Sequence, residues 1–288
     1  MSDKIICWWS GGVTSAVACK LAIDLYGLDK CRIIFIDTGN EDEETYRFKN
    51  DCERWYLKEI EIITGLGDKF KTIQSVWYHY KSLNVANGAI CSSELKRDVR
   101  LKWQKENSFK HQIFGFDIDE PKRAKSMTLN YETAKPIYPL LLFGYSKKKC
   151  IEIIESSGIE IPVMYKYGFH NNNCFKTGCV QGGIGYWQKM KREFPLKFEA
   201  MAKVEHDLTN LKGKPVTMTK DQSKQAKETG NQLVFLKPHE DYPHVKDISM
   251  MKGREPQPLF ECNGFGCAVN DLQPKNKTQL EINYSPKQ

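Results

Sequence analysis

The segment Ser10-Gly11-Gly12-Val13-Thr14-Ser15 follows a short apolar run, Ile5-Ile6-Cys7-Trp8-Trp9. It leads into a stretch that sets Val17, Leu21 and Leu25 on one helical face, with Gly27 as its stop. A strand, a glycine pair flanked by hydroxyls, and a helix in that order leave few folds open. Gly11 and Gly12 can take backbone angles closed to other residues. Their N–H groups, the Ser and Thr hydroxyls and the positive end of the helix dipole can then converge on a phosphate.

The rest of the first half repeats the alternation. Cys31–Asp37 is a near-continuous apolar run, as expected of a strand covered on both faces. Glu43–Leu57 reads as helix, Ile60–Thr64 as strand, Leu95–Lys105 as helix and His111–Phe116 as a fourth strand. Such alternation predicts an α/β fold: a Rossmann-like parallel sheet flanked by helices, with a site at the strands' C-terminal ends. After Pro136-Ile137-Tyr138-Pro139-Leu140 the pattern changes. Ser146 can cap a helix running to Ser157, a Cys- and Asn-rich loop occupies 170–181, and two helical stretches break at Pro195. The polar, Lys-rich segment 209–258 reads as an irregular or partly mobile appendage. The expected division is a nucleotide-binding α/β domain at 1–145, a helical extension with the Cys loop at 146–208, and an irregular Cys-containing C-terminal part at 209–288.

Composition narrows the setting. The 288 residues are 40% hydrophobic and 27% charged, and no stretch reaches the roughly 20 apolar residues of a membrane span. No signal-peptide pattern opens the sequence, so the expected location is cytoplasmic, without membrane association. The formal net charge of +7 favours a polyanionic partner slightly, although the Lys residues are scattered. Ten cysteines in this setting argue for reduced thiols, metal or cluster ligation, or redox chemistry rather than a disulfide scaffold.

Several of these segments together resemble a known family. Ser-Gly-Gly-Val-Thr-Ser resembles the pyrophosphatase-type P-loop (SGGxxS) of the adenine-nucleotide alpha-hydrolase superfamily. Asp37-Thr38-Gly39 with Glu44-Thr45-Tyr46 is similar to the "DTG…ET" segment of phosphoadenosine phosphosulfate (PAPS) reductases. Gly115-Phe116-Asp117, with Asp119-Glu120 and Arg123 behind it, resembles that family's "GxRxxES…R" segment, with Phe116 in place of the usual Arg. Tyr138-Pro139-Leu140 resembles its "PL" segment. The resemblance implies that Ser10, Gly11, Gly12, Thr14 and Ser15 hold phosphate oxygens. It places Asp37, Thr38 and Gly39 beside the ribose or a bound Mg²⁺, makes Gly115 part of the nucleotide site, and makes Arg123 a phosphate contact. It also implies ATP or a related adenine nucleotide as ligand. Many ATP-using members carry Lys and Asp where this chain has Val13 and Thr14, so Mg²⁺, Arg123 or a Lys from elsewhere must supply the charge if ATP is cleaved.

The cysteines divide into two groups. Cys7, Cys19, Cys31, Cys52 and Cys150 fall on predicted strands and helices and read as buried small hydrophobes. Cys91, Cys174, Cys179, Cys262 and Cys267 sit in loops or at helix starts beside Gly and polar residues. Cys91 lies where cluster-binding sulfonucleotide reductases place a cysteine pair, and Cys174 and Cys179 match their downstream cysteine segment in position. That resemblance implies a [4Fe-4S] cluster on Cys91, Cys174 and Cys179, with Cys262 or Cys267 as fourth ligand or an open iron. Structural Zn²⁺ on Cys174, Cys179, Cys262 and Cys267 and free thiols are the alternatives. Glu261-Cys262 is similar to the reductases' C-terminal nucleophile segment, which makes Cys262 a catalytic candidate beside Cys91. His170 reads as a spare ligand or a surface residue. Tyr186-Trp187 with Met190, Phe194, Phe198 and Met201 reads as core packing.

Three readings follow. The first is a pyrophosphatase-loop ATPase that adenylates a substrate for sulfur transfer to a nucleic acid (tRNA or DNA) or a small molecule, with a separate sulfur donor. The second is a sulfonucleotide reductase using a C-terminal cysteine and a thioredoxin-like partner. The third is a non-catalytic nucleotide-binding module with structural zinc.

Overall fold

The computed structural model describes residues 3–67, 69–85 and 88–257. Five parallel strands form the main sheet: β1 (Ile5–Trp9), β2 (Cys31–Asp37), β3 (Ile60–Thr64), β4 (His111–Ile113) and β5 (Pro136–Ile137), in the order β3-β2-β1-β4-β5. The chain runs outward from β1 through β2 to β3 and then returns to the other side of β1. The reversal between β1 and β4 opens a crevice at the strands' C-terminal ends. The expected α/β fold is therefore present. The fourth strand stops at Ile113, but the Phe114 N–H still donates to Ile137 O at 3.0 Å, so the pairing outlasts the ladder.

Alternation along β1 builds two cores at once. Ile5, Cys7 and Trp9 enter the core on one face, with helix α1 (Val13–Tyr26) and Cys150 and Ile154 of the helix Lys147–Ser156. Ile6 and Trp8 enter the other, with Trp103, Phe114 and Phe116. Successive side chains of a strand point to opposite faces, so an unbroken apolar run is what a doubly covered strand requires. The edge strand β3 shows the contrast, with Glu61 exposed and paired to Arg32 at 2.7 Å. Cys7, Cys19, Cys31, Cys52 and Cys150 are buried in the first core, as small apolar groups.

A third core lies beside the sheet. It brings Trp77 of helix α2 (Ile73–Tyr80) together with Cys91, Leu95, Cys174, Cys179 and Trp187, and with Phe198 and Leu208 of helix α3 (Pro195–Lys212). Tyr186, Trp187, Met190, Phe198 and Met201 are all buried there, in the packing role their spacing predicts.

The segment after residue 209 is more regular than its composition suggests. It holds a three-stranded sheet of Thr219–Lys220, Leu233–Phe235 and Lys246–Asp247, and a helix Lys224–Thr229 capped by Ser223. The strands are two or three residues long, below what period-2 patterning can reveal. Glu205 of α3 anchors them. Its buried carboxylate accepts the N–H groups of Met218 and Leu236, each at 2.6 Å. No helix among the described residues is long and apolar enough to cross a membrane.

Candidate nucleotide and thiol site

The phosphate loop is closed by its own hydroxyls. Ser15 Oγ accepts the Ser10 N–H at 3.0 Å, lies 2.9 Å from Ser10 Oγ and donates to Gly12 O at 2.9 Å. Gly11 sits at φ +87°, and a Cβ there would lie 2.8 Å from Thr45 Cγ2. Gly12 precedes α1 in an extended conformation with no side-chain cap. The first helical N–H, that of Val13, donates to Tyr165 OH at 3.3 Å. Asn172 Nδ2 donates to Gly11 O at 3.1 Å and to Thr45 Oγ1 at 3.0 Å. Of the loop residues expected to hold phosphate, Ser10 and Ser15 also brace the turn, and Thr14 is buried in the first helical turn.

Gly115 lies behind the loop. A Cβ at this position would come within 2.7 Å of Ser15 Cα and Ser15 N. Its missing side chain lets the end of β4 press against the first turn of α1. Arg123 pairs with Glu120 and lies with its guanidinium carbon 4.7 Å from the Phe116 ring centroid.

The end of β2 carries the next part. Asp37 Oδ1 accepts the Gly39 N–H at 2.7 Å and Oδ2 accepts the Tyr46 hydroxyl at 2.9 Å, which fixes the carboxylate at the strand's end. Burial, with Asp37 next, pushes the Tyr46 phenol well above its ordinary range. Gly39 is at φ +66°, and a Cβ there would meet Leu66. Beyond it, residues 40 and 41 reach the cysteine loop. Glu41 Oε2 accepts the Cys174 N–H at 2.9 Å, while Asn40 Nδ2 donates to Cys174 O at 3.4 Å and to Thr177 Oγ1 at 2.9 Å. Cys174 itself holds φ +65°, a conformation uncommon for a side chain other than Asn, Asp or Gly. The peptide that carries it is gripped from both sides.

Cys91, Cys174 and Cys179 line one small cavity, together with Thr38, Lys96 and Trp77. Its volume of about 20 Å³ is room for one small group, given that a single water needs about 10–15 Å³. All three thiols are buried, and burial is the main force raising each pKa, to about 11 for Cys179. Ionising Cys91 or Cys179 would raise Cys174 further, so the three are electrostatic neighbours. Lys96 opposes that rise. It is buried beside Glu41, Nζ to Oε1 3.4 Å, with side chains 4% and 0% exposed. Burial pulls its ammonium down, but Glu41 and the thiols outweigh this and hold it charged.

Of the sequence candidates, the fold brings Cys91, Cys174, Cys179 and Thr38 to one cavity, and places the phosphate loop and Asp37 on the same edge of the sheet. Cys262 and Cys267 lie outside the described residues. The three thiols are chemically suited to iron or zinc. As they stand they do not form a metal cage: the cavity admits one small group, and among the described residues no set of three or more His, Cys, Asp or Glu is placed to hold a metal ion. His170 Nε2 lies 3.1 Å from Pro256 O, bonded to backbone. Residues that sequence reading passed over are Asn40, Glu41, Trp77, Tyr165 and Asn172. Only the run of three Asn before Cys174 advertised itself.

A family model described as "phosphoadenosine phosphosulfate reductase domain" matches residues 4–181. An uncharacterized protein of Methanocaldococcus jannaschii is 28% identical over 199 residues, which is 66% of this chain and 39% of that protein. The chain thus spans well under half the length of this relative. A solved structure of PAPS reductase from Candida auris in complex with phosphate aligns at 16% identity and TM-score 0.41, over 59% of this chain and 79% of that one. With more than half of its length matched by that model, the chain belongs to the phosphoadenosine phosphosulfate reductase domain family.

Proposed function

We propose that this chain is a sulfonucleotide reductase-type enzyme. An adenine nucleotide carrying a sulfate group binds across the C-terminal ends of the strands, its phosphate on the Gly11-Gly12 loop and its ribose near Asp37. A cysteine thiolate, Cys262 by its sequence context, attacks the sulfur. The S–O bond to the nucleotide breaks, the nucleoside phosphate leaves, and an enzyme S-sulfonate forms. A thiol of a thioredoxin-like partner then attacks the Cys262 sulfur and releases sulfite. The two electrons come from thiols, which end as a disulfide.

The observation that carries this reading is the physical junction of the two halves. Asn172 holds Gly11 of the phosphate loop, and Glu41 and Asn40 hold Cys174 of the thiol cavity. This junction supports a nucleotide on the loop with buried thiols close by, and the nucleophile Cys262 is assigned from its sequence context alone. The loop lacks the Lys of many ATP-cleaving members, which suits binding without pyrophosphate departure. The role of Cys91, Cys174 and Cys179, as thiols or as ligands, is decided by iron and zinc content and the absorbance spectrum after anaerobic purification. The thiol chemistry of the proposed reduction passes through no metal.

A second reading keeps an adenylating enzyme for sulfur transfer. It is favoured by Asp37, a carboxylate fixed at a strand end where Mg²⁺ could take it as a ligand. One experiment separates the two. Sulfite release from PAPS with thioredoxin, abolished by Cys262→Ser, supports reduction. Pyrophosphate release from ATP and Mg²⁺ in the presence of tRNA, DNA or a small acceptor supports adenylation, and the absence of sulfite release overturns the first reading.

A further inference from the structure

The first N–H of a helix is the group its N-terminus offers to an anion. In α1 that group is already engaged. The Val13 N–H donates to the Tyr165 hydroxyl, 152 residues away in sequence, at 3.3 Å. The Val13 side chain is apolar and fully buried. Position 13 therefore brings neither a side-chain cation nor an uncommitted backbone N–H to the phosphate loop.

Tyr165 is held in place from the helix Glu43–Tyr56, which follows β2. It lies on the short helix Val163–Lys166 and packs against the first core. The Val163 N–H donates to Glu44 Oε2 at 3.1 Å, and Glu44 pairs with Arg47 at 2.9 Å. Arg47 in turn donates to the carbonyls of Glu160 and Ile161, at 3.0 and 3.4 Å. The next residue, Thr45, receives the Asn172 amide that also holds Gly11. Glu44 and Thr45 thus fasten two groups to the loop, Tyr165 at its helix end and Asn172 at its glycine end. A hydroxyl carried on a segment anchored through its own backbone is a fixed part of the site.

An oxygen that accepts the Val13 N–H sits along that bond, about 2.9 Å from the nitrogen. A phosphate oxygen and the Tyr165 hydroxyl cannot both stand there. The glycine N–H groups are left to serve the nucleotide's phosphate. A polyphosphate chain needs further donors for each successive charged group, whereas a phosphate bearing one sulfate carries less charge and needs fewer.

We infer that Tyr165 is a specificity-determining residue of this loop: by holding the Val13 N–H it selects an adenine nucleotide of low phosphate charge, such as a phosphosulfate, against the triphosphate. The inference rests on the reading of Ser10–Ser15 as the nucleotide's phosphate cradle. It separates the two proposed reactions at the binding step.

The test measures calorimetric affinities of the full chain for adenosine monophosphate, adenosine phosphosulfate and ATP, without added metal. The wild type is expected to bind the phosphosulfate at least about tenfold tighter than ATP. Tyr165→Phe removes one oxygen and releases the Val13 N–H. ATP affinity is expected to rise about tenfold, as one charge-assisted hydrogen bond is gained, while the other two stay within about threefold. Tyr165→Leu, which also keeps an apolar group against the core, is expected to shift the ratio in the same direction. A thermal melt followed by circular dichroism shows that each variant folds. A merely structural role for the hydroxyl would move all three affinities together. Equal changes for the three nucleotides, or an unchanged ratio, overturn the inference and spare the nucleotide reading. No binding of any of them by wild type or variants overturns both. The expected shift without sulfite release from PAPS supports Tyr165 as the selector and overturns the reductase reading.

Discussion

The Ser10–Ser15 loop and the thiol cavity are linked through the 172–174 segment but are built on opposite principles. The loop is six consecutive residues, braced by its own hydroxyls and by Asn172 and Tyr165 from outside, and its shape rests on backbone conformation. The cavity draws on residues 38–41, 77, 91–96 and 174–179, and its working groups are side chains, two of them a buried charged pair. A loop made of backbone depends on conformation, so glycine is the sensitive position. A cavity made of distant side chains depends on charge balance, so the ion pair is. Mutation should therefore fail in different ways at the two places.

The sharpest break is expected at Lys96. Removing one partner of a buried ion pair leaves an uncompensated charge and costs about 3–5 kcal/mol. Lys96→Met should lower urea-unfolding stability by that amount, while the double variant Lys96→Met/Glu41→Gln should recover most of it. The amide that replaces the Glu41 carboxylate can still accept the Cys174 N–H through its carbonyl oxygen. If the double variant is as unstable as the single one, the charge pair is not what organises the cavity.

Gly11→Ala probes the loop in its own terms. The φ of +87° and the 2.8 Å approach of Thr45 both oppose a Cβ. Backbone strain of this kind costs about 1–3 kcal/mol. The larger consequence should be on ligand: adenine-nucleotide affinity, measured by calorimetry, is expected to fall more than tenfold. Thiol alkylation rates should stay within about twofold of the wild type if loop and cavity are independently built. A large rise in Cys174 alkylation would mean that the Asn172 link transmits loop distortion, and that the contrast between the two regions is too sharp.

The sequence was most legible where structure is local. The apolar runs at Ile5–Trp9 and Cys31–Asp37 give their strands to the residue, because strands buried on two faces admit few polar interruptions, while Ile60–Thr64, at the sheet's edge, is legible through its β-branched residues. Gly27 and Ser146 mark a helix end and a helix start through their backbone geometry and cap. Cys91, Cys174 and Cys179 stood out as a group, but not what surrounds them. Glu41 and Lys96 are 55 residues apart, and each reads alone as one more surface charge. Their pairing is made by the fold, since β2 and the helix after Cys91 meet only when the third core closes. The same holds for Tyr165, whose hydroxyl reaches Val13 N–H across 152 residues. The sheet of 219–247 was missed because its strands are too short to show a period.

A second buried carboxylate sharpens the role of charge. Glu205 is held by two backbone N–H groups, where Glu41 has an ammonium beside it as well. Burial raises the Glu205 pKa and the two N–H bonds only partly oppose it, leaving it at about 8. The folded chain thus keeps a proton that the unfolded chain has released above its ordinary carboxylate pKa of about 4.3. Between those two values the folded state binds more protons, so stability should fall as pH rises from about 4.3 to about 8 and level off above. Glu205→Gln should flatten this part of the profile. It should also cost about 1–3 kcal/mol at acid pH, because its amide can accept only one of the two N–H groups and leaves the other buried and unpaired. An unchanged pH profile in the variant would locate the titration elsewhere.

The smallest effect is expected at Ser15, and it tests the loop's own bracing most directly. Its hydroxyl accepts the Ser10 N–H and donates to Gly12 O, two bonds that span the turn. Each is worth about 1 kcal/mol net. Ser15→Ala should therefore lower stability by about 1–2 kcal/mol, well below the Lys96 variant. Nucleotide affinity should fall with it, because the turn opens at its neck and the N–H groups lose their common focus. Ser15→Thr can restore both bonds only if its methyl is tolerated beside Gly115, where a Cβ would already come within 2.7 Å of Ser15 Cα. The ranking of the three side chains in affinity, Ser above Thr above Ala, separates a hydroxyl that braces the loop from one that merely fills it. If Ala binds nucleotide as well as Ser, the glycines alone shape the cradle.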